Sequence, residues 1–198
     1  MAKIIKFPIP TPEKFGPQRV RKRKETRREQ NGQLNLFSGG KVVKLNQLTA
    51  FEEALLLDEQ GNKQRAKIGY LQAIEQDDSS ADAYCNLGII ECLEGAHAKA
   101  IDSFTQCLKV DPRHFEAHYN LANLYGEIGN FSLAKAHYEI SIQLEPSFPN
   151  SYFNLGLTLA MNKEFEPAVK AIKKFRKLAQ PEDQKLADDL IQKLMTAL

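Results

Sequence analysis

The sequence contains little cysteine and no long apolar run, and each scarcity excludes a class of protein. Three cysteines in 198 residues are too few, and odd in number, for a disulfide framework, which favours a reducing compartment. No apolar run approaches the ~18 residues that a membrane-spanning helix needs. Lys6, Pro8 and Pro10 interrupt the first ten residues, so a secretory signal is not expected. We therefore expect a cytoplasmic protein that does not contact a membrane.

The sequence also lacks the usual signatures of catalysis and of metal binding. Gly39-Gly40-Lys41 has too few glycines for a phosphate-binding loop, and no Ser or Cys has a recognisable base. His114 and His118 have the spacing of a helical metal site, but His118 falls in a column of packing residues. Cys85 and Cys92 would lie about 10 Å apart on one helix, too far for a shared disulfide or zinc ion. We expect no enzymatic activity, no cofactor and no metal.

The small net charge of +2 conceals an uneven distribution along the chain. Residues 1–46 hold 12 Lys and Arg against three Glu, a net charge of +9, so residues 47–198 carry −7. Four prolines and a run of charges at residues 19–28 predict that this basic head is largely disordered up to about Gln33. Residues 33–45 could form two short strands about a glycine turn, packed on the body or loose.

Three interpretations of the basic run remain open. It could contact nucleic-acid phosphates, dock on acidic residues of its own or another chain, or act as a solvated tail. It lacks interleaved aromatic residues on which bases could stack, so the interpretation as a single-strand binder has little support. The candidate phosphate contacts are Arg19, Arg21, Lys22, Arg23, Lys24, Arg27 and Arg28.

The rest of the chain repeats with a period of 34 residues. The stretch that starts at Ala81 aligns with those that start at Phe115 and Pro149, and the same step relates small and large apolar positions elsewhere. The matching columns are Ala66, Ala100, Ala134 and Ala168; Tyr70, Phe104, Tyr138 and Ile172; and Ala54, Gly88, Ala122 and Gly156. Such columns predict paired helices that approach closely at the small residues, with a large side chain filling the gap between pairs.

Turn residues mark the ends of these helices. Gly61, Gly95 and Gly129 recur at the same step, where glycine can adopt the left-handed conformation that ends a helix. Pro112 and Pro146 disfavour helix in the preceding residue and should stop the second helix of their units. One helix pair cannot bury its apolar face alone, whereas stacked pairs can, so the pattern predicts a solenoid.

These residues resemble the tetratricopeptide repeat (TPR) family over residues 47–182. The resemblance implies an all-α, right-handed α-solenoid. The expected units are a basic, largely disordered segment at 1–46, a divergent repeat at 47–80, repeats at 81–114 and 115–148, a divergent repeat at 149–182, and a capping helix at 183–198. In this family the first helix of each pair lines a concave groove that usually holds the ligand.

The resemblance places a column of asparagines in that groove. An Asn side chain offers a donor and an acceptor, so each could pair with both backbone groups of one peptide residue. From helix spacing and strand rise, we expect one Asn to meet about every third residue. A similar ladder holds extended peptide in the TPR arm of the O-linked N-acetylglucosamine transferases. The candidate groove residues are Asn86, Asn120, Asn154, Asp82, Glu116, Tyr119, Phe153, Ile89, Asn123 and Leu157.

These features lead to one preferred function and one alternative. We expect a non-enzymatic adaptor or scaffold that binds an extended, neutral or basic protein segment in the groove, with apolar contact from Tyr119, Phe153 and Ile89. The groove lacks the Lys and Arg of TPR proteins that clamp chaperone C-terminal carboxylates, so no such clamp is expected. The alternative is a nucleic-acid-associated regulatory factor, anchored by the basic head while the repeats recruit a protein. The head could also occupy the acidic groove and compete with a ligand.

Overall fold

The computed structural model describes residues 16–20 and 48–197, and its regular structure in that part of the chain is entirely helical. The helices are α1 (Ala50–Glu59), α2 (Lys63–Glu75), α3 (Ser80–Leu93), α4 (His97–Val110), α5 (Phe115–Glu127), α6 (Phe131–Leu144), α7 (Pro149–Met161), α8 (Phe165–Leu178) and α9 (Pro181–Met195). They form four pairs, followed by one further helix. Each helix packs on the next along the chain, and α3, α5 and α7 also contact one another in sequence. The fold is the expected right-handed α-solenoid.

Local sequence explains where the helices begin and end. Thr49 starts α1 with a capping box, in which its hydroxyl accepts the N–H of Glu52 and the Glu52 carboxylate accepts the N–H of Thr49. Gly61, Gly95 and Gly129 have φ of +79°, +72° and +81° in the turns within pairs, as the repeat predicted. Asp111, the residue before Pro112, is extended with ψ of 95°, so α4 ends there for the reason expected.

The repeat columns form the core. All members of the alanine column and all members of the large apolar column are buried. Gly88 lies against the ring of Phe104, where a Cβ atom would come within 2.8 Å of Cε1. This close approach is possible because glycine has no side chain, and it lets α3 and α4 pack tightly.

The last helix covers the open end of the stack. Pro181 occupies its first turn, where a missing N–H costs nothing. Ala187, Leu190 and Leu194 are buried in the same cluster as Phe175 of α8. Helix α9 therefore lies within two or three residues of the expected capping helix. Among the residues described, no helix is both long and apolar enough to cross a membrane.

A short stretch of the basic head lies against the repeats. Residues 16–20 have no helical structure, and Val20 is buried. Within the head, which is expected to be largely disordered, these five residues are held by hydrogen bonds, an ion pair and apolar burial. The remainder of residues 1–46, including the strands expected at 33–45, lies outside the described residues.

Candidate peptide-binding groove

Two asparagines on α3 and α5 pair with the backbone of the head segment. Asn120 accepts the N–H of Gln18 at Oδ1 (2.8 Å) and donates from Nδ2 to the carbonyl of the same residue (2.9 Å). Asn86 does the same for Val20, with distances of 2.9 Å and 3.1 Å. Both asparagines are almost fully buried. Each side-chain amide thus satisfies both polar groups of one peptide residue, and it does so away from water, where an unpaired group is costly.

The segment runs from repeat 3 towards repeat 1 in steps of two residues per repeat. The expectation of one asparagine for every third residue is wrong here, since the paired residues are Gln18 and Val20. In an extended chain, alternate residues direct both backbone groups to the same side. A step of three would turn the next N–H and C=O away from the array, so only an even step can repeat the two-bond pairing.

The residue between the two paired positions contacts an acidic side chain of repeat 1. Arg19 Nε lies 2.9 Å from Oδ2 of Asp58, whose side chain has no exposed surface. The hydroxyl of Tyr70 also donates to that oxygen, at 3.4 Å. Burial raises the pKa of Asp58, while Arg19 and the Tyr70 hydroxyl lower it in part. The guanidinium therefore neutralises a carboxylate that has lost most of its solvation.

Val20 completes an apolar cluster at the floor of the groove. Its side chain is 1% exposed and belongs to a cluster with Cys85, Ile89, Leu121 and Leu124. Ile89 was expected to provide apolar contact in the groove, and the structure places it in this cluster. Burying a valine side chain contributes about 1.5 kcal/mol or more, so the segment is held by apolar contact as well as by polar pairing.

Two further predicted groove residues lie in the core cluster of repeats 3 and 4. Tyr119 and Phe153 are fully buried there, and their rings pack on Tyr138 and Phe175, respectively. The expectation that they offer apolar contact to a ligand stays a prediction.

The third asparagine of the column pairs with neighbouring side chains. Asn154 Nδ2 donates to the Tyr119 hydroxyl (3.0 Å) and to Oδ1 of Asn123 (2.9 Å). Asn123 and Leu157 line a cavity of about 640 Å³, together with Gly16, Pro17 and Asn120. The cavity thus continues the groove from the head segment towards repeat 4.

The two acidic residues of the predicted groove contact one histidine. Asp82 lies 3.0 Å from Nε2 of His114, and Glu116 lies 3.4 Å from Nδ1. The N–H of Ala117 donates to Nδ1, which makes His114 the N-cap of α5 and directs an Nε2 proton towards Asp82. Both carboxylates thus lie beside the start of α5, where negative charge is favourable.

The structure also brings together Cys85, Cys107 and His114, a group that sequence reasoning missed. Their candidate ligand atoms lie within 4.8 Å of one another, and all three residues are buried. Burial raises the pKa of Cys85, and the hydrogen bond with Cys85 lowers the pKa of Cys107 to about 7. Two thiols and an imidazole are a donor set that soft metals accept. The sequence paired Cys85 with Cys92 and His114 with His118, whereas the repeat geometry joins α3, α4 and the start of α5.

A pair of histidines joins α5 and α6 of repeat 3. Nδ1 of His118 is 3.0 Å from Nδ1 of His137, and Nε2 of His118 is 3.3 Å from the carbonyl oxygen of Pro112. His118 can donate to that carbonyl and accept from His137 only while it is neutral. Burial and the neighbouring imidazole lower the pKa of His137 to about 4, and burial also lowers that of His118.

This pair predicts a loss of stability in mild acid. The unfolded chain binds more protons than the folded chain between pH 6.5 and about 4, so stability falls as the pH falls through that window. Because His137 is only partly buried, we expect the effect to be about 1 kcal/mol between pH 7 and pH 5. Urea denaturation at both pH values should show a smaller pH-dependent loss for His137→Gln than for the unaltered chain. Equal losses would contradict the assignment.

Of the candidate phosphate contacts in the basic run, Arg19 is the one that lies within the residues described by the structure. Arg19 pairs with Asp58 in the groove, so the repeats engage this residue. The other candidates, Arg21, Lys22, Arg23, Lys24, Arg27 and Arg28, lie outside the described residues. Of the three interpretations, the contact at Arg19 corresponds to docking on the chain's own acidic repeats.

Comparison with known proteins agrees with the repeat architecture. A family model described as tetratricopeptide repeat matches residues 81–114 and 115–148, so the chain carries tetratricopeptide repeats. Over 118 residues the chain is 33% identical to the human protein O-mannosyl-transferase TMTC3; the match covers 58% of this chain and 13% of that protein.

Two solved structures show the same fold. PilF of Pseudomonas aeruginosa superposes with a TM-score of 0.66 and 23% identity, over 74% of this chain and 66% of that one. The first TPR domain of Spaghetti (RPAP3), bound to the HSP90 peptide SRMEEVD, superposes with a TM-score of 0.55 and 21% identity, over 59% of this chain and 91% of that one. At these identities the likeness concerns the fold alone.

Proposed function

We propose that this protein is a non-enzymatic interaction module that binds an extended protein segment in its concave groove. The observation that carries the proposal is the pairing of Asn86 and Asn120 with alternate residues of an extended segment. Each asparagine makes two hydrogen bonds, one to the backbone N–H and one to the backbone carbonyl of its residue. Backbone pairing supplies affinity for a strand of any sequence, while the neighbouring side-chain contacts supply selectivity. The head segment supports this proposal, because a partner segment would pair with the same asparagines in the same way.

The charge of the groove favours a neutral or basic partner. Asp58, Asp82 and Glu116 lie on or beside the inner face, and Asp58 already pairs with an arginine. The peptide bound to the RPAP3 domain, SRMEEVD, carries two glutamates and an aspartate. An acidic tail of that kind would meet like charges in this groove, so we propose a different class of ligand.

A role without catalysis agrees with the arrangement of the groove. Asn86 and Asn120 are already paired with backbone groups, and an amide carries no proton that titrates near neutrality. The human relative named as an O-mannosyl-transferase is matched over 13% of its length, which gives no ground for assigning that activity to this chain. The tetratricopeptide repeats support the general conclusion that the protein contacts other proteins.

A peptide-binding assay tests the asparagine ladder directly. The probe is a fluorescein-labelled peptide with the sequence of residues 14–22, and the receptor is the full chain with Val20→Asp, which should empty the groove. Adding Asn120→Ala should weaken binding about tenfold or more, since two buried hydrogen bonds are lost. Fluorescence anisotropy gives the dissociation constants, and circular dichroism checks the helical content.

An asparagine away from the groove provides the matched control. Asn162→Ala makes the same change at an exposed position between α7 and α8, where Nδ2 donates to the carboxylate of Glu164. We expect it to change the dissociation constant less than threefold. Equal binding by the Asn120→Ala chain and its parent would remove the ladder from the proposal.

A further inference from the structure

We infer that the groove selects a segment in which an arginine is followed directly by a β-branched apolar residue, with Asp58 as the residue that recognises the arginine. This inference rests on the proposed function and adds the class of ligand. It is carried by two side-chain sites that flank the asparagine ladder, one buried carboxylate and one apolar pocket. The chain's own Arg19 and Val20 occupy them.

The carboxylate of Asp58 has the character of a recognition site. Its side chain is fully buried, yet among the described residues Oδ1 has no hydrogen-bond partner. Buried carboxylate oxygens are rarely left unpaired, because the loss of solvation is not compensated. A buried acid with one free oxygen on the inner face of a groove is suited to a cationic ligand that supplies a further donor.

The resident arginine uses this site incompletely. Arg19 Nε lies 2.9 Å from Oδ2, but neither Nε nor Oδ1 has a well-aligned hydrogen bond in the described structure. A guanidinium can instead present two parallel N–H groups to both oxygens of a carboxylate. A partner arginine that reaches this arrangement would bind more strongly than Arg19, so the head segment is an occupant that such a ligand can displace.

Geometry favours arginine over lysine at this position. An ammonium group is a compact point charge, whereas the planar guanidinium matches the two oxygens of a carboxylate and is less strongly hydrated. The carboxylate is out of contact with solvent, so the cost of stripping water from the cation matters. We expect arginine to bind best, lysine less well and glutamine worst.

The next residue of the ligand enters the apolar pocket. Val20 is buried with Cys85, Ile89, Leu121 and Leu124, while its backbone is held by both groups of the Asn86 amide. β-Branched side chains favour the extended backbone that this pairing needs. Valine and isoleucine therefore suit both the pocket and the conformation.

The ladder fixes the register of these two positions. Asn120 holds the residue before the arginine and Asn86 holds the residue after it. A slip of one residue would exchange the sides of the strand and remove both contacts at once. The inferred ligand is therefore an extended segment of three positions: any residue, then arginine, then valine or isoleucine. It runs from repeat 3 towards repeat 1.

The first test changes the peptide and leaves the repeats of the receptor unaltered, so their folding is not affected. Labelled peptides of residues 14–22 are titrated onto the full chain with Val20→Asp. Arg19→Gln in the peptide should weaken binding about tenfold or more, and Arg19→Lys should have an intermediate effect. The matched control exchanges Gln18 and Arg19 in the peptide, which keeps its composition and charge but removes the arginine from the position between the two paired residues. It should bind as weakly as the Arg19→Gln peptide.

A substitution in the receptor completes the cycle. With Asp58→Asn, the arginine and glutamine peptides should bind within threefold of each other, because the buried charge is gone. Equal binding of the unaltered peptide and the peptide with Gln18 and Arg19 exchanged to the parent receptor would overturn the inference, even if binding still depends on Asn120. Binding that does not depend on Asn120 would instead overturn the proposed function, so the two failures are distinguishable.

Discussion

Replacing Val20 with aspartate should raise the affinity of the full chain for an added peptide of residues 14–22 by about 10- to 100-fold. Val20 is 1% exposed within an apolar cluster, and a carboxylate placed there would be buried without a partner among the residues of that cluster. Such burial costs more than the segment gains from its remaining contacts. The segment should leave the groove, and the two asparagines should become available.

The size of the effect follows from the tether between the segment and the repeats. Residues 21–47 join Val20 to the array, which gives the attached segment an effective concentration on the order of 1 mM. If the free peptide binds with a dissociation constant of roughly 10–100 μM, the attached copy reduces its apparent affinity by about 10- to 100-fold. Fluorescence anisotropy on the two full-length chains measures the ratio directly.

A change in the same segment provides the control. The side chain of Gln18 donates only to the carbonyl of Gly16 among the described contacts (3.5 Å), while its backbone pairs with Asn120. Gln18→Ala should therefore keep the segment bound and leave the peptide affinity within about twofold of the unaltered chain. Equal affinities for the Val20→Asp and unaltered chains would show that the segment does not compete for the groove.

The period of the sequence was sufficient to predict the fold because each repeat position has one physical role. Small residues such as Ala100 mark close helix contacts, and Gly95 marks a left-handed turn; both are found there. The all-helical solenoid and the turn positions could therefore be predicted from spacing alone. The burial of the inner aromatic residues could not, since Tyr119 and Phe153 lie on the first helices but fill the space between them.

The occupied groove was harder to predict from the sequence. Asn86 and Asn120 could be placed on the inner face, but the step of two residues depends on how a strand presents its backbone groups. Asp58 occurs in a repeat that departs from the pattern, so its contact with Arg19 carries no periodic signal. Contacts between residues that are distant in sequence and belong to different kinds of segment require the three-dimensional structure.

The glycine in the close contact between α3 and α4 should not accept a side chain without a loss of stability. Gly88→Ala would place a Cβ atom 2.8 Å from Cε1 and 2.9 Å from Cδ1 of Phe104, a fully buried ring. The ring cannot move without disturbing the cluster that also holds Val20 and Ile89. We expect a loss of about 2 kcal/mol from overpacking, seen as a decrease of roughly 4–8 °C in the melting temperature.

The same glycine-to-alanine change should stabilise the protein at a position with room for the added methyl group. Gly126 lies in the last turn of α5, and the nearest atoms to an added Cβ are 3.9 Å away. Gly126→Ala should therefore raise stability by about 0.5–1 kcal/mol, because alanine favours the helix.

In a double-mutant cycle, Phe104→Leu should reduce the cost of Gly88→Ala by about 1 kcal/mol or more, since the smaller side chain relieves the contact. Additive effects in that cycle would show that the contact with Phe104 does not require a glycine at position 88.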